Sequence, residues 1–288
     1  KNFLKELPLH VLQNYTLEHE CSSYDLRWGR GITVEHAEAR ERNIPFITHL
    51  EEGFDEEATL GTDILLELGA LDEYTVIIHG ISLSDKDIEA IALHKANVVW
   101  CPSSNYYMFQ TTAPIKKLLE AGVNVALGTD SPMSGGLHLL DEIQFASKLY
   151  EKLYGEKLDP KVLVMMVTMN AARALRCFDE GKIAIGAKSN FTIIKGSSIH
   201  NPYEALIQSD LDDIKLVILD GIMPKKSGKE AYEEIKIINS DILTVFISGY
   251  LEDFSNNINY KENVLFIQKP ITPFDLLKKI RKLLDKFK

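Results

Sequence analysis

Four side chains at the ends of short apolar runs combine metal-ligating and proton-transfer chemistry. His49 follows "PFIT" and stands three residues before Glu52 in "HLEEG", His79 follows "VII", and Asp130 follows "ALGT". Two imidazoles and a carboxylate form a donor set suited to a first-row transition metal. Glu52 leaves the same strand end as His49, so a potential proton carrier accompanies a potential ligand. Each residue alone also has an ordinary explanation. A strand-end histidine is commonly a hydrogen-bonded core or loop residue, and a "GTDS" turn commonly caps the next helix. The combination at successive strand ends is harder to assign to packing.

The elements that would position these residues alternate between two periods. Apolar runs at "LPLHVLQ", "IPFITHL", "YTVIIHG", "NVVWCP" and "NVALGTD" are separated by amphipathic stretches such as "TVEHAEARERN", "LSDKDIEAIALHK" and "APIKKLLEAG". The strand-end residues Thr48, Ile78, Trp100 and Gly128 recur at roughly 20 to 30 residues, the size of a βα unit. Such a rhythm suits a TIM-type barrel or a doubly wound sheet. The polar strand ends favour the barrel, whose closure brings the carboxyl ends of different strands around one mouth.

The ordered series "HLEEG", "VIIHG", "WCPSSN", "LGTDSPMSGG", "TMNAARAL" and "GKIAIGAKSNFTIIKG" resembles the amidohydrolase superfamily, in its cytosine-deaminase and chlorohydrolase-like branch, over residues 5 to 205. The resemblance implies a metal-dependent hydrolase or deaminase acting on C–N bonds of a small-molecule substrate, with Zn²⁺ or Fe²⁺ as cofactor. By it His49 and Asp130 are metal ligands, Asp130 also accepts a proton from the attacking water, Glu52 shuttles that proton to the leaving group, and His79 orients or polarises the bond under attack. The stretch after "TMNAARAL" resembles the return into a small flanking β-domain, with Gly181 and Gly186 punctuating a short hairpin. Cys101 and Asn105 in "WCPSSN" either line the substrate pocket or are a buried thiol and a turn amide. His94, His138 and His200 read as ordinary surface residues.

One departure stands out. Family members carry an H-x-H pair on the first barrel strand, and none of the eight histidines here forms one. If "LPLHVLQ" is the fourth barrel strand, strands one to three have no counterpart, so the expected fold is a partial barrel and the expected hydrolase is impaired. His49 and Asp130 supply two ligands where a catalytic zinc takes three from protein. The start at Lys1 suggests a piece of a longer frame.

From "IKLVILD" onward the strand and helix rhythm resumes with other strand ends. "LDGIMPKKSG", "FISGY" and "FIQKP" resemble a response-regulator receiver domain, a flavodoxin-like α/β fold. That resemblance implies Asp220 as phosphoacceptor, Ser248 and Lys269 as phosphoryl-binding groups, Phe266 as the switch aromatic, Mg²⁺ as cofactor and a histidine kinase as partner. A carboxylate nucleophile forming an acyl phosphate, with a lysine and a hydroxyl on the transferred oxygens, is sensible chemistry. The plain account is a Pro/Gly loop and a strand terminator. Here too the beginning has no counterpart. The pair Asp212 and Asp213 precedes the strand that Asp220 ends, roughly 23 to 26 Å away at 3.3 Å per residue, so the Mg²⁺ site is incomplete.

"LVILDG" fits the end of the hydrolase pattern and the third strand of the receiver pattern equally. The expected organisation is therefore a fusion, with residues 1–205 amidohydrolase-like and 206–288 receiver-like. Three functions follow as alternatives: hydrolase, phosphoacceptor, or a composite with neither activity. A net charge of -10 and a pI near 5.4 argue against a nucleic-acid surface. No apolar run reaches the roughly 18 residues of a membrane span, and "LLKKIRKLLDKFK" reads as a solvated amphipathic helix. Cys21, Cys101 and Cys177 lack C-x-x-C spacing, which fits a reducing, cytoplasmic compartment.

Overall fold

The computed structural model describes residues 15–18, 30–56, 58–188, 191–194, 201–209, 214–221, 227–249 and 262–287. The run "LPLHVLQ", His200, Asp212 and Asp213 lie outside them. The chain divides into two compact units: residues 13–182 with 201–208, and residues 183–200 with 209–288, the latter grouped with 1–12.

In the first unit a five-stranded sheet runs β1 (Thr16–Glu18), β2 (Phe46–Leu50), β3 (Thr75–His79), β4 (Asn97–Trp100) and β5 (Asn124–Leu127), in chain order and with every pair parallel. Unbroken sequential order is what an arc of a (β/α) barrel gives, whereas a doubly wound sheet reverses direction at a switch point. The helices are α1 (Ile32–Arg42), α2 (Gly61–Glu67), α3 (Asp85–His94), α4 (Pro102–Phe109), α5 (Ile115–Glu120), α6 (Leu139–Tyr154), α7 (Pro160–Met166), α8 (Met169–Ala174) and α9 (Pro202–Ile207). Local chemistry sets their ends. Ser84 and Asp87 form a reciprocal capping box at the start of α3, and Lys95 closes it in the left-handed conformation. Phe46, Leu50, Ile77, Val98, Trp100 and Val125 bury one continuous core against these helices.

The second unit holds a four-stranded sheet in the order β6 (Phe191–Ile194), β7 (Ile214–Asp220), β8 (Leu243–Ser248) and β9 (Val264–Gln268), with helices α10 (Gly228–Ile238) and α11 (Pro273–Lys286). β7, β8 and β9 are mutually parallel, and β6 runs antiparallel to β7. This division differs from a single cut after residue 205: "NFTII" supplies β6 to the second unit, while α9 joins the first. The hairpin expected at Gly181 and Gly186 is not formed. Both glycines turn the chain at positive φ, and Gly181 lies so near the Thr168 carbonyl that a Cβ would meet it at 2.6 Å. The strand that follows takes β7 as its partner instead. Among the described residues, no helix is long and apolar enough to cross a membrane.

Candidate functional site

Backbone geometry at three strand ends creates the site. In the β2–β3 register His49 pairs with Ile78 and Leu50 with His79. Paired residues of parallel strands share a face, so regular pleating would send His49 and His79 to opposite sides. His79 has φ 73°, which breaks the alternation and re-aims its ring. The two imidazoles consequently lie 5.2 Å apart between ring centroids. Glu51 (φ 53°) turns the chain after β2 ahead of Glu52, and Asp130 (φ 57°) does so after β5. Non-glycine residues held in this region cost about 1 to 3 kcal/mol each and persist where surrounding structure over-determines them.

His49, Glu52 and His79 each offer a donor atom, all within 4.8 Å of one another. His79 is 1% exposed, and its Nε2 lies 3.3 Å from Glu52 Oε1. Its Nδ1 lies 2.8 Å from Asn105 Oδ1. The amide orientation is fixed because Asn105 Nδ2 donates to Thr112 Oγ1, which also receives the Trp100 indole N–H at 2.6 Å. An amide oxygen only accepts, so Nδ1 carries the hydrogen and the Nε2 lone pair faces Glu52. A lone pair and a carboxylate oxygen repel at that distance unless a proton or a cation lies between them. Burial raises the Glu52 pKa; the charge of Asp130 adds to the rise, and a protonated His79 would oppose it. Two imidazoles and one carboxylate converging in this way fit a Zn²⁺ ion, whose nitrogen and oxygen ligands sit near 2.0 to 2.2 Å.

Asp130, expected beside His49 as a ligand, is not one of the three converging residues. Its Oδ2 accepts from Ser104 Oγ at 2.5 Å and Ser134 Oγ at 3.1 Å. Its charge still reaches the site, since it raises both Glu52 and Cys101. Burial, reinforced by Asp130, Glu142 and Glu52, pushes the pKa of the buried Cys101 thiol well up. Asn105 is buried, with its Oδ1 2.8 Å from His79 Nδ1. His138 caps α6, and His94 is exposed. Asn105 was at least flagged by "WCPSSN"; Thr112 and Glu142 carried no signal in the sequence.

In the second unit, Asp220 ends β7 and Ser248 ends β8, both buried. Lys269 Nζ donates to Asp220 Oδ2 at 2.5 Å, and the Lys269 N–H donates to the Ser248 carbonyl. Gly228 begins α10 so close to Asp220 that a Cβ would meet its carbonyl oxygen at 2.4 Å. Phe266 stacks on Phe246 at 5.2 Å, and Phe246 packs edge-on against Tyr232.

Comparison with known proteins places these features in context. The model of the Amidohydrolase family matches residues 32–249. A 5-methylthioadenosine/S-adenosylhomocysteine deaminase of Pyrococcus abyssi is 32% identical over 256 residues, covering 83% of this chain and 55% of that protein. A deaminase of the same description from Caldanaerobacter subterraneus subsp. tengcongensis is 32% identical over 215 residues, 70% of this chain and 48% of that one. The chain thus spans about half the length of the curated relatives it matches. Among solved structures, an adenosine deaminase from Xanthomonas campestris with bound zinc superposes with a TM-score of 0.60 at 22% identity, covering 67% of this chain and 47% of that one. An atrazine chlorohydrolase from Arthrobacter aurescens TC1, complexed with zinc, gives 0.59 at 21% identity, with 65% and 45% covered. Both share the fold of this chain.

Proposed function

The chain belongs to the amidohydrolase family, and from that premise we propose that it binds a divalent metal, zinc before iron, and hydrolyses a C–N bond, releasing an amino group from a purine-like amidine. The observation that carries this reading is the convergence of His49, Glu52 and His79 within 4.8 Å. His49, His79 and Glu52 would hold the ion. Zinc bound there supplies the Lewis acidity that brings the pKa of water toward about 7. The Glu52 oxygen turned away from the ion would take a proton from the attacking water and return it to the leaving nitrogen. His79 is held in one tautomer by Asn105 and cannot swing away. Asp130, fixed by two serine hydroxyls, supplies negative charge beside the attacking water and a second resting place for its proton. The deaminase names of the relatives favour a methylthioadenosine-like substrate over a triazine.

The test is metal content after dialysis against Zn²⁺, with ammonia release from 5-methylthioadenosine. One zinc retained per chain, lost in His49→Ala, together with ammonia release is the expected result. A chain that retains no zinc would end the hydrolase reading.

A second reading is favoured by the Lys269–Asp220 contact. Asp220 would attack the phosphorus of a phosphodonor, forming an acyl phosphate while the donor's leaving group departs, with Lys269 and Ser248 on the phosphoryl oxygens and Mg²⁺ required. Incubation with acetyl phosphate and Mg²⁺ should add one phosphoryl mass, absent in Asp220→Asn; a histidine kinase would be the physiological donor. Failure of both tests leaves a composite with neither activity.

A further inference from the structure

Glu142 lies on α6, is 0% exposed, and plays no part in the chemistry above. A buried carboxylate is costly unless donors replace its water. Three do, and they come from two separate segments. Ser103, in the first turn of α4, donates its backbone N–H to Oε1 at 2.8 Å and its hydroxyl to Oε2 at 2.6 Å. Gly136, in the loop after β5, donates its N–H to Oε2 at 3.2 Å.

Both segments continue directly to Asp130. The residue after Ser103 is Ser104, whose hydroxyl donates to Asp130 Oδ2. Two residues before Gly136 is Ser134, whose hydroxyl donates to the same oxygen and lies 2.9 Å from that of Ser104. The loop can make this approach only because residues 135 and 136 lack side chains. A Cβ at Gly135 would stand 1.6 Å from the Thr129 carbonyl oxygen, and one at Gly136 would stand 2.7 Å from Glu142 Oε2.

We propose that Glu142 is a positioning residue for Asp130, a single buried anchor that clamps α4 and the loop after β5 so that Ser104 and Ser134 converge on one oxygen of that carboxylate. The inference rests on the reading of Asp130 as a charge that serves the metal site. Glu142 touches no reacting group. Its effect is transmitted by one residue on the α4 side and two on the loop side, through segments too short and too tightly bonded to move independently of it.

The test is a double-mutant cycle on Zn²⁺ affinity, measured on the full chain by competition with a chromophoric chelator. Asp130→Asn removes a negative charge beside the cation and should weaken Zn²⁺ binding about tenfold. Glu142→Ala should weaken it by a similar factor, since loss of an outer-shell partner typically costs 10- to 100-fold. The double variant should be no worse than Asp130→Asn alone. Glu142→Gln keeps one acceptor oxygen and should recover part of the loss. A purely structural anchor would lower thermal stability without this coupling. Independent, multiplying effects of the two substitutions would therefore overturn the inference, as would a Glu142→Ala chain with unaltered affinity while Asp130→Asn is weakened. Unaltered affinity in Asp130→Asn would instead remove the reading of Asp130 itself. Should Glu142→Ala fail to fold, Ser103→Ala deletes a single bond of the clamp. It should show a smaller loss, about twofold, with the same dependence on Asp130.

Discussion

Two strand-end carboxylates, one in each unit, are balanced in opposite ways. Asp220 receives the ammonium of Lys269, which follows the next strand but one, so the chain supplies its own counter-charge. Glu52 faces the lone-pair side of His79 and lies in the field of Asp130. Its balance has to come from a proton or an added cation. The backbone differs in the same sense. Asp220 and Ser248 are the last residues of regular strands, whereas Glu51, His79 and Asp130 are all held at positive φ. Strain and unbalanced charge coincide at the first site, as expected if it is organised around an ion.

The largest effect should come from removing a donor. His79→Ala leaves a carboxylate and one imidazole, and Zn²⁺ affinity should fall about 1,000-fold, roughly 4 kcal/mol. Lys269→Ala should leave Zn²⁺ affinity unaltered while exposing Asp220 to unscreened solvent and metal. Chelator competition on both variants reads this directly, and equal Zn²⁺ affinity in all three chains would erase the contrast between the sites.

Next in size is a pH effect confined to the first unit. Glu51 is fully buried and its pKa is pushed up to about 7, first by loss of water, with Thr62 opposing through two hydrogen bonds to Oε1. Its Oε2 has no hydrogen-bond partner among the described residues. A folded pKa above the unfolded value of 4.5 means that the folded state binds the extra proton. Stability is then greatest below pH 4.5 as far as this group is concerned, falls as pH rises toward 7, and stays reduced above it. The full difference is ~3 kcal/mol. Glu51→Gln keeps an oxygen for Thr62 and removes the ionisation, so it should raise the denaturation midpoint at pH 8 and leave it unaltered at pH 4. A gain of equal size at both values would show that the carboxylate is not the cause.

Much of this arrangement was legible before the structure. β2 to β5 end near where the apolar runs end, and His49, Glu52, His79 and Asp130 were expected around one mouth, of which the first three offer donor atoms within 4.8 Å of one another. Lys269 Nζ donates to Asp220 Oδ2 across 49 residues of sequence. What stayed hidden has physical reasons. Regular pleating puts His49 and His79 on opposite faces, and nothing in "VIIHG" announces a histidine in the left-handed region. The antiparallel pairing of "NFTII" with "KLVILD" is a non-local choice, which local pattern does not encode. Ser104, 26 residues before Asp130, gives no local sign that its hydroxyl would donate to that carboxylate.

A third, smaller effect tests the hydrogen bonds that hold Asn105 against His79. Thr112 accepts from both Trp100 and Asn105, and all three are buried. Thr112→Val keeps the shape and orphans two donors, costing about 2 kcal/mol. Release of the Asn105 amide should also free the His79 tautomer, visible as a change in the ring-nitrogen chemical shifts. Loss of stability with unchanged shifts would mean that Asn105 is held by packing rather than by this hydroxyl.

The smallest effects compare the same device in the two units. Ser84 caps α3 in a reciprocal box with Asp87, partly buried, and Ser227 caps α10 in one with Glu230, exposed. Each hydroxyl satisfies a backbone donor at a helix start, and Ser→Ala at such a site costs about 1 kcal/mol. Water can replace the lost bond at Ser227 more readily than at Ser84, so the cost should be greater in α3. Hydrogen exchange resolves this locally: Ser84→Ala should speed exchange in the first turn of α3 by about fivefold, and Ser227→Ala should change α10 by less. Equal acceleration in the two helices would mean that burial of the cap contributes nothing, and that the helix-end dipole common to both sets the size of the effect.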